Sequence, residues 1–213
     1  MTTERYVDTR HLLVAVDVQN DFIDGSLAVT NGIDVVAPLN TLAYAVRRDL
    51  GRVAFTRDWH PAATPHFDTW PVHCVADTDG AAFHPDLQLK EGDVVLNKGM
   101  GQTDGYSGIE GVADDGTTLE TMIEPVHRDE KVRIFVGGLA TDYCVKATAV
   151  DLARRYKGLD NVSICLVTDA IRAVNLQPND GTEAVEAMAD AGVHIINLTD
   201  ALALVDTNRL ERE

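Results

Sequence analysis

The chain has 213 residues, 45% of them hydrophobic, which suits one domain with a real core spanning 1–213. Its net charge of −16, from 34 acidic against 18 scattered basic residues, argues against a nucleic-acid partner, whose phosphates are held by clustered Lys and Arg. No apolar run is long enough to span a membrane, the opening MTTERYVDTRHLLVAVDVQ lacks a small-residue cleavage site, and Cys74, Cys144 and Cys165 match no disulfide framework, so a cytoplasmic protein with free thiols and no membrane partner is expected.

Leu12–Val16 (LLVAV) is a continuous apolar run, the pattern of a strand buried on both faces of a parallel sheet. It ends at Asp17, in LLVAVDVQNDF, where a carboxylate is costly unless paired or solvated and so has a specific task. Asp21 and Asp24 read as ordinary turn carboxylates. Residues 33–48 set Ile33, Val36, Leu39, Leu42, Ala43 and Val46 at three- and four-residue intervals, which predicts an amphipathic helix ending in the basic pair Arg47 and Arg48.

Arg52–Thr56 (RVAFT) predicts the second strand, and RDWHPAATPHFDTWPVHC follows it. Asp58, His60, His66 and His73 lie here within 16 residues, among prolines and tryptophans. One carboxylate and two imidazoles, Asp58, His60 and His73, would form a facial ligand set with open positions, suited to Zn²⁺, Fe²⁺ or Mn²⁺. His66 is a candidate fourth ligand. The competing reading makes these side chains turn caps beside Trp59 and Trp70, with no gain in packing.

Val94–Asn97 (VVLN) predicts the third strand, ending at Lys98 and the Gly-rich GMGQTDGYSG. A short helix is expected over Thr118–Val126, a fourth strand over Arg133–Val136, and then the turn GGLATDYC. A helix over 143–156, a strand over Ser163–Val167, a helix over Thr182–Ala191 and a strand over Val193–Leu198 complete the pattern. Such alternation specifies an α/β fold with a parallel sheet, whose ligands bind at the carboxyl ends of the strands. Asp17, Asp58, Lys98 and the Gly137–Cys144 turn would therefore meet at one edge.

Thr141 is placed as the N-cap of the helix that follows, with Cys144 in its first turn. Free N–H groups and the positive dipole end there favour a thiolate, lowering the thiol from about 8.5, and suit a developing oxyanion. A buried structural cysteine is the alternative. Near a thiol, Asp17 would act as general base and then as acid for a leaving amine. Lys98, a solvated residue if taken alone, would stabilise the thiolate and orient the carboxylate.

VDVQNDF, DWH…WPVHC, NKG…YSG and GGLATDYCV occur in the order and spacing of the nicotinamidase/pyrazinamidase group of isochorismatase-like cysteine hydrolases, which the chain resembles from about residue 12 to about residue 198. The resemblance implies a three-layer α/β/α sandwich around a six-stranded, mostly parallel sheet. It places the catalytic triad on Asp17, Lys98 and Cys144, and the metal ligands on Asp58, His60 and His73, with His66 matching a histidine that only some members use. It implies a non-proline cis peptide between Leu139 and Ala140, and an oxyanion hole from the N–H groups of Ala140 and Cys144. Phe22, Trp70 and Tyr106 match aromatics of the substrate pocket, and Tyr143 stands where several members carry His.

The implied reaction converts nicotinamide to nicotinate and ammonia through a thioester, as part of NAD salvage, with pyrazinamide as a further substrate. One divalent ion (Zn, Fe or Mn) would hold the pyridine nitrogen. The partner implied is a small molecule, and a homo-oligomer is left open. Two rival readings stand beside this one. Cysteine amidohydrolases for carbamoyl or ureido substrates keep the triad but generally lack the metal set. A non-catalytic metal-binding protein of the same fold has no use for the triad.

Overall fold

The period-two pattern of β1 (Thr9–Val16) divides the core into two layers. Leu13 and Ala15 join one buried cluster, while Leu12, Val14 and Val16 join the other, on the opposite face of the sheet. In this computed structural model, which describes residues 9–101, 104–124, 126–127 and 130–212, β1 is flanked by β2 (Arg52–Asp58) and β4 (Lys131–Leu139). With β3 (Val94–Lys98), β5 (Val162–Arg172) and β6 (His194–Ile196), the strand order is β3-β2-β1-β4-β5-β6, every ladder parallel. The expected sandwich is thus found, with a wholly parallel sheet.

The first cluster packs α2 (Val36–Arg48) and α6 (Leu198–Arg212) against one face through Val36, Leu39, Leu42, Val46, Ala201 and Val205. The second packs α3 (Leu119–Ile123), α4 (Lys146–Arg155) and α5 (Asp180–Asp190) against the other, through Met122, Ala149, Leu152 and Met188. A further short helix, α1 (Asn20–Ile23), follows β1 and buries Phe22. No helix of the described residues is long and apolar enough to cross a membrane.

Element boundaries differ from expectation in instructive ways. The helix expected from residue 33 begins as a 3-10 turn, Gly32–Val35, and Ile33 is 42% exposed instead of joining the buried stripe. The helix expected over Thr118–Val126 is only Leu119–Ile123, capped by Thr118, and Pro125 lies outside the described residues. β2, β4 and β5 each run past their apolar cores, because ladder hydrogen bonds continue into Asp58, Leu139 and Arg172. The last strand is only His194–Ile196, and the C-terminal α6 was not anticipated.

The chain leaves β1 towards β2 and β3, then returns to β4 on the other side of β1. The crevice between β1 and β4 is therefore the topological switch point, where the carboxyl ends of the strands leave room for a ligand.

Candidate active site

Register brings the charged side chains together. Asp58 pairs with Lys98 across β2 and β3, and Val16, just before Asp17, pairs with both Thr56 and Gly138. Gly138 has φ +125 and packs so closely on the backbone of Val16 that a Cβ would collide with it, so β4 can approach β1 only with glycine here. The next peptide but one, Leu139–Ala140, is cis, as the resemblance implied.

Lys98 is the hub. Its buried ammonium lies 2.8 Å from Asp17 Oδ2 and donates to Asp58 Oδ1 at 2.6 Å, to the Gly105 carbonyl at 3.1 Å and to Cys144 Sγ at 3.3 Å. Burial opposes its charge, but the Asp17 and Asp58 carboxylates override that and hold its pKa well above the ordinary lysine value. Asp17 is fully buried, with φ +50, and accepts from the Thr56 hydroxyl at 2.7 Å. Burial pushes its carboxyl up to about 6, against the pull of Lys98.

Thr141 is not the helix cap. Ala140 takes that position, and its carbonyl accepts from the N–H groups of both Tyr143 and Val145 at 3.1 Å. The result is a wide π-turn, Thr141–Val145, that carries Cys144 ahead of the first regular turn of α4. Nor is the thiol acidified in the free protein. Burial pushes Cys144 well above the usual thiol range, Lys98 pulls it down, and Asp17 and Asp58 push it up again. The resting arrangement is a protonated thiol beside the Asp17 carboxyl.

The histidines converge one layer out. His60 Nδ1 faces the Gly99 carbonyl at 2.9 Å, His73 Nδ1 the Pro71 carbonyl at 2.7 Å, and His66 Nδ1 the Asp104 carboxylate at 2.9 Å. Carbonyl and carboxylate oxygens only accept, so each Nδ1 carries a proton and Nε2 is the nitrogen of each ring left to ligate. One nitrogen from each ring lies within 4.8 Å of the others, and the Nε2 atoms of His60 and His73 sit 3.8 and 4.0 Å from Asp58 Oδ2. His60 Nε2 is buried with no hydrogen-bond partner among the described residues. Burial lowers the pKa of His60 and of His73, favouring the neutral form that metals require. An orphaned buried acceptor in a set of three imidazoles and one carboxylate fits a divalent metal. His66, left open by the sequence, is geometrically part of it.

All four aromatics singled out in the sequence line one cleft with about 380 Å³ of open space, together with Cys144, Ala140, Asp58 and His73. Trp70 Nε1 donates to Tyr106 Oη at 2.9 Å, the Trp70 and Tyr143 rings meet edge to face at 4.9 Å, and Phe22 packs against His73 at 5.4 Å. Leu27 and Val174 also line the cleft and were not anticipated.

Three supporting residues were missed. Gln19, fully buried, accepts from the Asp58 N–H at 2.8 Å and donates to the Asp58 carbonyl at 2.8 Å and the Ala81 carbonyl at 2.9 Å. A Gln three residues past the end of a buried strand, in VDVQNDF, was the available signal. Asp142, also buried, accepts from the N–H groups of Val174 (2.9 Å) and Asn175 (2.8 Å), which ties the Cys144 turn to the loop behind the cleft. Gly99, with φ +64, leaves room for His60, whose ring carbon would lie 2.5 Å from a Cβ.

The isochorismatase domain family matches residues 11–200. The chain is similar to the nicotinamidase/pyrazinamidase of Mycobacterium tuberculosis (36% identity, 86% of this chain and 97% of the relative) and to the nicotinamidase of Escherichia coli (35%, 88% and 95%). Its fold is similar to that of a zinc complex of Pyrococcus horikoshii pyrazinamidase, with TM-score 0.74 and 30% identity over 88% of this chain and 99% of that one. With a matching domain over most of its length and its ionisable groups gathered at the β1/β4 switch point, the chain belongs to the isochorismatase family, within its nicotinamidase group.

Proposed function

We propose that the chain is a nicotinamidase, a cysteine amidohydrolase that converts nicotinamide to nicotinate and ammonia and accepts pyrazinamide as a second substrate. The observation that carries this reading is the position of Lys98 Nζ, which touches Cys144 Sγ, Asp17 and Asp58 at once and so joins a nucleophile and base to the carboxylate of a metal set, beside an aromatic cleft.

In the proposed roles, Phe22, Trp70, Tyr106 and Tyr143 enclose the pyridine ring and exclude water around it. A divalent ion (zinc, iron or manganese) held by Asp58, His60, His73 and His66 would supply a Lewis-acid anchor for the ring nitrogen, fixing the ring's orientation. Cys144 Sγ attacks the carboxamide carbon while Asp17 takes the thiol proton, and the N–H groups of Ala140 and Cys144 receive the developing oxyanion. Lys98 stays charged throughout and holds Asp17 in place. Asp17 hands its proton to the departing nitrogen, the C–N bond breaks, and ammonia leaves a thioester on Cys144. Asp17 then draws a proton from water, which adds to the thioester and releases nicotinate and the free thiol.

The rival carbamoyl or ureido chemistry has no ring nitrogen to anchor and gives the three-histidine set no task. The test is ammonia release from nicotinamide by purified protein, beside Cys144→Ala and a chelator-treated sample. Both controls are expected to lose release, with activity returning when metal is restored. Absence of release from metal-replete wild type would overturn the assignment.

A further inference from the structure

The three histidines are not oriented alike. His60 and His73 direct Nδ1 at backbone carbonyls, acceptors fixed by the course of the chain, whereas His66 uses a side chain, Asp104 Oδ1 at 2.9 Å. The His66 side chain is 3% exposed and that of Asp104 is 58% exposed, so a solvent-facing carboxylate reaches in to hold a buried ring. That ring stacks on His60 with centroids 4.6 Å apart and lies 5.3 Å from His73. Asp104 Oδ1 can only accept, so it holds a proton on Nδ1 and leaves Nε2 as the nitrogen of that ring able to ligate.

We infer that Asp104 is a positioning residue for His66, holding the tautomer and ring angle that make His66 the fourth donor of the metal set. Asp104 belongs to the segment whose next two residues also serve the site: the Gly105 carbonyl accepts from Lys98, and Tyr106 accepts from Trp70. The same short stretch therefore fixes a metal-set histidine, the hub lysine and one wall of the cleft.

This inference rests on the metal-site reading above, and its test separates the two. The full-length protein, stripped with a chelator, is titrated with Zn²⁺ against a fluorescent competitor as wild type, Asp104→Ala, Asp104→Asn, His66→Ala and the double alanine variant. Asp104→Ala is expected to weaken Zn²⁺ binding by about tenfold, the low end for such an outer partner because the carboxylate faces solvent. Asp104→Asn, whose amide oxygen still accepts, should stay close to wild type, and the double variant should bind no more weakly than His66→Ala. Asp104→Ala binding as tightly as wild type would overturn the inference. So would Asp104→Asn as weak as Ala, or an alanine effect undiminished without His66, since either makes the effect one of bulk charge. Wild type that binds no Zn²⁺ stoichiometrically would remove the metal reading and this inference with it.

Discussion

At the level of single residues, the site works by setting a buried cation among groups that would otherwise repel one another. Asp17, Asp58 and Cys144 offer ligand atoms all within 4.8 Å, so three potential anions share a dry space, and Lys98 makes the two carboxylates tolerable together. Burial, reinforced by the same crowding, explains why the thiol is not acidic at rest. A helix terminus favours a thiolate only where the dipole outweighs burial, and here burial dominates. In the proposed mechanism the proton moves to Asp17 during attack, and a carboxyl raised to about 6 is well matched to that exchange near neutral pH. Above about 6 Asp17 is ionised and able to accept the proton; below it Asp17 is protonated and the base is lost. kcat/KM for nicotinamide should hence fall as pH drops through about 6, approaching tenfold per pH unit on the acid side. A profile measured on Asp17→Glu should keep an acid limb with a displaced midpoint, whereas an unmoved limb would assign the titration to another group.

Among the elements, what was legible and what was not divides along physical lines. Buried parallel strands announce themselves as apolar runs, which placed β1 to β5, and the residues at their carboxyl ends followed from the strands, whereas β6 is a partly exposed edge of only three residues. α6 went unread because its buried contacts are few: Ala201 and Val205 are buried, but the stripe around them is interrupted by exposed positions. Its start did carry a signal, since Asn197 Oδ1 caps the N–H of Asp200. The π-turn at Cys144 could not be read, because it depends on the Ala140 carbonyl receiving two N–H groups after a cis peptide, and neither is written in residue types. Gln19 was missed for a related reason: its side chain imitates a neighbouring strand, giving the Asp58 backbone one donor and one acceptor where β2 runs out of partners. Replacing it with Leu, of similar volume, strands the Asp58 N–H and the two carbonyls in a dry interior. That should cost about 3 kcal/mol or more of unfolding free energy in urea titration. Zn²⁺ affinity should fall as well, since the end of β2 would no longer hold Asp58 in place. Lost stability with unchanged affinity would mean that β3 alone positions the carboxylate.

For the molecule as a whole, charge and site are in different places. The chain carries −16, yet the cleft walls are aromatic and aliphatic, with the Asp17 and Asp58 carboxylates offset by Lys98 inside. Net charge of this size repels itself across the surface and works against the compact state, an effect that salt screens. The reaction proposed for the cleft involves a neutral amide, so the surface field neither attracts nor repels the substrate. Stability and catalysis should then respond differently to ionic strength. Raising NaCl from about 20 mM to about 0.5 M shortens the screening length from over 20 Å to under 5 Å, and Tm should rise across that range. kcat/KM for nicotinamide should change by less than about twofold, because screening alters encounter only for charged ligands. Product nicotinate is an anion and meets the full repulsion at low salt, so its inhibition should strengthen as salt is added. If kcat/KM for the neutral amide instead moved in step with Tm, the catalytic geometry itself would be under the strain of surface repulsion, and the separation between an acidic exterior and an internally balanced site would not hold.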